Sequence, residues 1–128
     1  MAFLTTFGLD TGMGGAGSPV EFKDTANLNA QGAAIFVPVE VTCQEDEGPV
    51  FLGIQITQRT GDELASGSGT VGQDLACDGK PHTVEVFVQA QGRPFHPGVA
   101  AARADLTECD IEETSCRNET DIADITIR

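Results

Sequence analysis

The sequence lacks features that several classes of protein require. It contains no tryptophan and no tyrosine, and its 7 basic residues against 20 acidic ones give a formal net charge of -13 over 128 residues. Proteins that bind nucleic acid neutralise phosphates with Lys and Arg, so this balance argues against nucleic acid and against an anionic membrane surface as partners. No apolar run approaches the roughly 20 residues of a spanning helix, so membrane insertion is not predicted.

Motifs of an enzyme or a cofactor site are also missing. No serine lies in a G-x-S-x-G context, and the glycine-rich stretch 12–17 lacks the lysine of a phosphate-binding loop. His82 and His96 are not spaced from any cysteine pair as zinc ligands are. The sequence therefore predicts a non-enzymatic protein with no catalytic residue, no metal and no cofactor.

Acidic residues cluster around the last two cysteines. They lack the D-x-D-x-D-G spacing of a calcium loop, so a solvated acidic face is the simpler interpretation. The cluster comprises Asp105, Glu108, Asp110, Glu112, Glu113, Asp121 and Asp124.

The four cysteines are Cys43, Cys77, Cys109 and Cys116, and none forms a C-x-x-C pair. Of the three ways to pair them, the most economical joins Cys43 to Cys77 across the domain and Cys109 to Cys116 locally. Disulfides persist outside the reducing cytosol, so this pairing predicts an extracellular protein or a virion surface. Four buried thiols in an intracellular protein are the alternative. Residues 1–10 lack the basic and apolar regions of a signal peptide, which a virion protein released by lysis would not need.

The chain divides into an N-terminal segment, residues 1–18, and one domain, residues 19–128. The segment combines an apolar arm with a Gly-rich linker, residues 12–18, whose composition is typical of a flexible connection. Its apolar residues are Phe3, Leu4, Phe7 and Leu9. The arm either folds back on its own domain or docks on a neighbouring subunit, because a Gly-rich joint permits both.

Alternation of apolar and polar residues predicts short β-strands throughout the domain. The clearest strand covers residues 33–43, and Pro38 within it indicates an edge or a bulge. Further strands are predicted at 20–22, 27–30, 50–58, 64–71, 73–77, 82–90, 99–106 and 120–127. No window shows sustained helical periodicity. This spacing predicts an all-β fold, an antiparallel two-sheet sandwich, with a small barrel as the alternative.

The order of these features follows a recognisable pattern over residues 20–128. It runs through the strand ending at Cys43, an acidic turn, residues 50–58, a Gly/Ser stretch, Cys77-Asp78-Gly79, residues 84–88, Phe95 with Pro97-Gly98, residues 100–106, and the Cys109–Cys116 loop. This order resembles small immunoglobulin-like domains of actinobacterial exported proteins or actinophage virions. The resemblance implies an immunoglobulin-like sandwich without catalytic activity.

Three phenylalanines lie opposite the branched aliphatic residues of their strands: Phe36, Phe51 and Phe87. If Val and Ile fill the interior, these rings lie on the outside. Several apolar groups on an outer surface mark an interface. Burying each ring contributes about 1.5–3 kcal/mol, so contacts between the rings and the apolar arm are expected, within one chain or between subunits.

These features together predict a structural or interaction subunit on a particle or cell surface. A virion decoration or tail component that makes protein–protein contacts fits best, through self-association or assembly into a larger particle. The alternative is a secreted monomeric binding module, with an unknown protein or small ligand bound near loops 44–49 and 91–98.

Overall fold

A computed structural model describes residues 19–44, 47–72, 75, 77–110 and 115–128, with the backbone alone at 47–49. These residues form eight β-strands and one 3₁₀ helix, Ala30–Gly32. The strands are β1 (Val20–Phe22), β2 (Thr25–Asn29), β3 (Ala34–Thr42), β4 (Glu47–Thr60), β5 (Glu63–Val71), β6 (Pro81–Gln91), β7 (Gly98–Asp110) and β8 (Cys116–Ile127). The predicted strand at 73–77 lies largely outside the described residues.

Seven of these strands form a closed barrel in the order β3-β2-β8-β7-β4-β5-β6, and β6 pairs again with β3. Most neighbours are antiparallel, but β2 and β8 pair in parallel, at Thr25 with Thr126 and at Ala26 with Ile127. Strand β1 lies outside the ring and pairs antiparallel with the end of β3.

The prediction of an antiparallel, two-sheet immunoglobulin-like sandwich is therefore wrong, although the fold is all-β. Alternation along a strand reports which side chains are buried, and that pattern is the same in a sandwich and in a barrel. What closes the sheet is pairing between strands distant in sequence. Strand β3 pairs with β6, β4 with β7, and β2 with β8.

The barrel interior is filled by the aliphatic residues that alternation placed on one face. In β3, Ile35, Val37, Val39 and Val41 are at most 2% exposed. The other strands contribute Leu52, Ile54, Ile56, Val86, Val88, Ala100, Ala102, Ala104, Leu106, Ile125 and Ile127. A small barrel has room only for side chains, so the interior is a core.

The loop between β6 and β7 closes one end of this core. Phe95 is 1% exposed, and its N–H donates to the carbonyl of Gly32 at 2.8 Å. The buried amide of Gln58 holds the next residue at both backbone groups: Nε2 donates to the His96 carbonyl at 2.8 Å, and Oε1 accepts from the His96 N–H at 2.9 Å. One side chain thus satisfies two polar groups that the loop would otherwise bury without partners.

Two disulfides tie the barrel at its margins. Cys43 is bonded to Cys77, and Cys109 to Cys116, which is the economical pairing predicted from the sequence. The first joins the residue after β3 to the connection between β5 and β6. The second joins residues directly opposite each other on β7 and β8.

Strand β5 approaches its antiparallel neighbour β6 so closely that glycine is required at two positions. A Cβ at Gly67 or Gly69 would collide with the carbonyl oxygen of Gln89 or Phe87 on β6. We expect Gly69→Ala to lower the free energy of unfolding by about 1–3 kcal/mol, because backbone cannot move aside as a flexible side chain can. Urea unfolding followed by far-UV circular dichroism measures this change.

The matched control is Gly53→Ala on β4, where a Cβ meets no atom within 4 Å. This variant should match or exceed the natural protein by about 0.4–1 kcal/mol, through reduced freedom of the unfolded chain. Equal stability of the two variants would contradict the close approach of β5 to the β6 backbone.

The Gln58 contact gives a second prediction. Gln58→Ala leaves the His96 N–H and carbonyl without their partner, so unfolding should become easier by about 1–3 kcal/mol. The His96 amide should also exchange with solvent faster, which hydrogen-exchange NMR detects. Gln55→Ala, at an exposed position on the same strand, is the control. If its effect equals that of Gln58→Ala, the side-chain contact does not hold the loop.

Candidate interaction surface

The structure places the three predicted phenylalanines outside the barrel, which confirms that part of the prediction. Phe51 is 52% and Phe87 46% exposed, and Phe36 is half-buried. Phe36 and Phe87 lie directly opposite each other on β3 and β6, with ring centroids 5.3 Å apart and planes tilted by 55°. Such tilted pairs are favourable. Phe51 lies on β4, two strands away from Phe87 around the barrel.

Beside the Phe36–Phe87 pair, three adjacent strands present a run of uncharged outward side chains, bordered by Glu85 on β6 and Arg59 on β4. The register aligns Gln55, Ser68 and Gln89 in one row across β4, β5 and β6. We call this region the uncharged face and define it by Gly53, Gln55, Thr57, Ser66, Ser68, Thr70, Phe87, Gln89 and Gln91, with Phe36 at its border. In a chain with 20 acidic residues, this run of uncharged outward positions is a distinct surface, although Glu85 lies at its border on β6.

The outer surface of β7 and β8 mixes charged side chains with exposed apolar ones, since Val99 is 63% and Ile122 71% exposed. Arg103 Nε donates to Asp105 Oδ2 at 3.0 Å, and Thr120 Oγ1 donates to Asp105 Oδ1 at 2.7 Å. These hydrogen bonds from Arg103 and Thr120 hold the pKa of Asp105 below its ordinary value. Asp105 thus forms a charge-assisted contact with Arg103 across the outer face of β7.

The predicted acidic cluster does not converge on a metal site within the described residues. Glu112 and Glu113 lie outside the part of the chain that the structure describes. Glu108 is buried and accepts from Arg117 Nη2 at 2.6 Å, and Asp121 Oδ2 accepts from the Phe22 N–H at 3.0 Å. Among the described residues, no three His, Cys, Asp or Glu side chains are grouped so that they could hold a metal ion.

The two histidines have structural surroundings. His82 Nε2 lies 2.9 Å from each carboxylate oxygen of Asp78. The backbone N–H of Lys80, followed by His82, lowers the pKa of Asp78. His96 is exposed and held through its backbone. All four cysteines are in disulfides, so neither histidine has a thiolate to activate as a nucleophile.

An open groove between β1 and β8 is a second candidate surface. It is lined by Glu21, Phe22, Lys23, Asp24, Asp121 and Ala123. In the described part of the chain, the edge of β8 that faces this groove is paired only at Thr126 and Ile127. The rest of the strand carries Arg117, Glu119 and Asp121, and charges along an edge oppose pairing with another strand. The uncharged face is better suited to an apolar partner.

Several other residues predicted to make contacts lie outside the described part of the chain. Phe3, Leu4, Phe7 and Leu9 lie outside the described residues, as do residues 45 and 46 of the predicted acidic loop. Loop 91–98 is anchored by Phe95 in the core. The uncharged face itself was missed, because the outward positions of β4, β5 and β6 become neighbours only through the register. Its signal in the sequence was the lack of charge at those positions.

Among the described residues, no helix has the length and apolar character needed to cross a lipid bilayer. No family model, no curated protein and no solved structure matches the chain. The function must therefore be inferred from the geometry of its own residues.

Proposed function

We propose that this protein is a non-enzymatic interaction subunit that assembles with protein partners through the outer surface of its barrel. The setting we propose is the surface of a particle or cell, with a virion decoration or tail component as the specific role. The two disulfides support a location outside the reducing cytosol. The contacts would come from Phe36, Phe51 and Phe87, together with the apolar residues of the N-terminal segment.

The observation that carries this proposal is the uncharged face beside an exposed aromatic pair in a strongly acidic protein. Copies that each carry a net charge of -13 repel one another at long range. Bringing carboxylates into a contact adds a desolvation cost of several kcal/mol per unpaired ion. A face without carboxylates avoids that cost, and Phe87, 46% exposed, still has apolar area to bury. These features support this face as a site of protein contact.

The barrel is suited to a structural role. Its interior is occupied by packed aliphatic side chains, so a ligand has no room between the strands. The two disulfides hold the end of β3 against the β5–β6 connection and the ends of β7 and β8 together, and the Gln58 amide holds the loop between β6 and β7. A rigid body loses little conformational freedom on assembly, which leaves more of the contact energy for binding.

A charge placed at the centre of the uncharged face should disrupt assembly. Ser68→Glu introduces a carboxylate at an exposed position whose cross-strand neighbours are Gln55 and Gln89. We expect the dissociation constant of self-association to rise at least about tenfold, because an unpaired carboxylate opposes burial. Sedimentation velocity over a concentration series measures it, and thermal unfolding verifies that the fold is intact.

The matched control is Thr126→Glu, which also replaces an exposed strand hydroxyl with a carboxylate but lies between Val99 and Thr25. Its association should equal that of the natural chain. A chain that stays monomeric at all concentrations would contradict assembly with itself and favour the secreted monomeric binding module. Equal weakening by both variants would remove the uncharged face from the proposal.

Salt should strengthen the association. Raising ionic strength from 0.1 M to 1 M shortens the Debye length from about 10 Å to about 3 Å, which screens repulsion between the acidic copies. The contact itself contains no ion pair that salt would weaken. We expect a severalfold lower dissociation constant at high salt by sedimentation. An association that weakens with salt would indicate an interface built from charge pairs instead.

A further inference from the structure

The uncharged face can be assigned a partner. We propose that it binds the same face of a second copy of this chain, related by a two-fold axis that passes close to Ser68. In this arrangement Arg59 of each copy forms an ion pair with Glu85 of the other. The inference rests on the proposed function and names the partner and its orientation at the same surface.

The centre of the face is chemically complementary to itself. A two-fold contact places a surface against its own copy, so each group must be compatible with groups of the same kind. Two carboxylate surfaces would repel each other, whereas amide and hydroxyl groups both donate and accept hydrogen bonds. Gln55, Ser68 and Gln89 are exposed and form the central row across β4, β5 and β6. This row can therefore hydrogen-bond to its own copy without burying a charge.

Two charges of opposite sign lie at opposite corners of the face. Strands β4 and β6 are both antiparallel to β5 and therefore run in the same direction. Arg59 follows Gln55 by four residues on β4. Glu85 precedes Gln89 by four residues on β6. Four strand residues span about 13 Å, so the two charges lie at similar distances on opposite sides of the central row. Since β5 lies between β4 and β6, Ser68 is near the midpoint of the line from Arg59 to Glu85.

The chain itself leaves both charges available. Arg59 and Glu85 are exposed, and neither forms an ion pair with another described residue. Four of the seven basic residues are paired within the chain, in Lys23–Glu40, Arg93–Glu63, Arg103–Asp105 and Arg117–Glu108. The border of the uncharged face thus carries one cation and one anion that can pair with a second molecule.

These positions select a second copy as that molecule. A two-fold axis in the plane of the contact, through the midpoint and perpendicular to the line joining Arg59 and Glu85, exchanges the two positions. Each guanidinium group then faces a carboxylate of the other copy, and two ion pairs form at the rim. Symmetry supplies both complementary charges at the required spacing. Exposed ion pairs contribute little affinity, so they fix the orientation of the copies, while the uncharged face itself contains no ion pair.

The same axis brings exposed apolar groups together. It exchanges the two halves of the face on either side of the central row. One half carries Phe87, 46% exposed, with Phe36 at its border, and the other adjoins Leu64, 51% exposed and directly opposite Arg59. Rotation brings the phenylalanine pair of each copy over the half beside Leu64 of the other. Apolar area exposed on one copy is therefore covered by apolar area of the second.

The size of the contact predicts weak association. The face is three strands wide, about 15 Å, and about 26 Å long between Arg59 and Glu85, which gives roughly 400 Å² per copy. Standard interfaces bury about 800 Å² per partner, so this contact belongs to the weak class. Association should therefore be measured at protein concentrations up to about 1 mM.

Reversing the two charges one at a time tests the pairing. In a two-fold dimer, Arg59→Glu places two carboxylates against each other at both corners, and Glu85→Arg places two guanidinium groups there. We expect each variant alone to associate at least about tenfold more weakly than the natural chain by sedimentation velocity. An equimolar mixture should recover a heterodimer, identified by its mass in native mass spectrometry. Its two corners each join a carboxylate of one variant to a guanidinium group of the other.

Two further variants separate this pairing from the effect of net charge. The double variant Arg59→Glu/Glu85→Arg restores opposite charges at both corners and should associate like the natural chain. Arg128→Glu changes the net charge by the same amount as Arg59→Glu, but it lies at the C-terminus beside β2. Mixing it with Glu85→Arg should give no recovery. Thermal unfolding verifies that each variant is folded.

The remaining outcomes separate this inference from the proposed function. If Arg59→Glu weakens association while Glu85→Arg strengthens it, the face meets an acidic surface, and the two-fold contact is overturned. If neither charge reversal has an effect but Ser68→Glu still weakens association, the orientation is overturned and the proposed function stands. Weakening by both reversals without recovery in the mixture also overturns the two-fold contact. A natural chain that stays monomeric up to about 1 mM overturns the inference together with assembly of the chain with itself.

Discussion

The ladder between β3 and β6 is the interaction on which the rest of the structure depends. Nine residue pairs join the two strands, from Ala34 with Gln89 to Thr42 with Pro81. Without this ladder the remaining strands would form an open sheet with two long unpaired edges, which are prone to aggregation. With it, the inward side chains share one interior, and the outward side chains form one continuous surface around the barrel. Core and interaction surface both follow from closure.

Closure also determines the distribution of charge. Gly67 and Gly69 let β5 approach the β6 backbone closely, and this approach brings Ser68 between Gln55 and Gln89. Arg103 and Asp105 meet instead on β7, beside β8. The glycines that permit the barrel thus also assemble the uncharged face. Packing inside and polarity outside are two consequences of one set of strand contacts, and the proposed assembly depends on both.

Local features were predictable, and distant contacts were not. Pro38 was expected to mark an edge or a bulge, but β3 is paired on both sides and its ladder with β6 continues through Pro38 without a shift. Proline is tolerated because its position faces the gap where β1 has ended and β2 has not yet begun, and its carbonyl accepts from the Lys23 N–H at 3.2 Å. The missing N–H of proline faces that gap, since the N–H and C=O of a strand residue point to the same side. Phe95 gave no such signal: it lies between prolines in a loop, and its burial depends on contacts with Gly32 and on the buried Gln58.

The sequence by itself determined that the chain is all-β, which residues of each strand are buried, that three phenylalanines face outward, and how the cysteines most simply pair. These follow from period-two alternation and short-range spacing, which are properties of one strand or one loop. Only the tertiary structure decided between sandwich and barrel, the parallel pairing of β2 with β8, and the identity of the uncharged face. Alternation specifies which way a side chain points but not which strand lies beside it, and that choice depends on register between segments far apart in the chain.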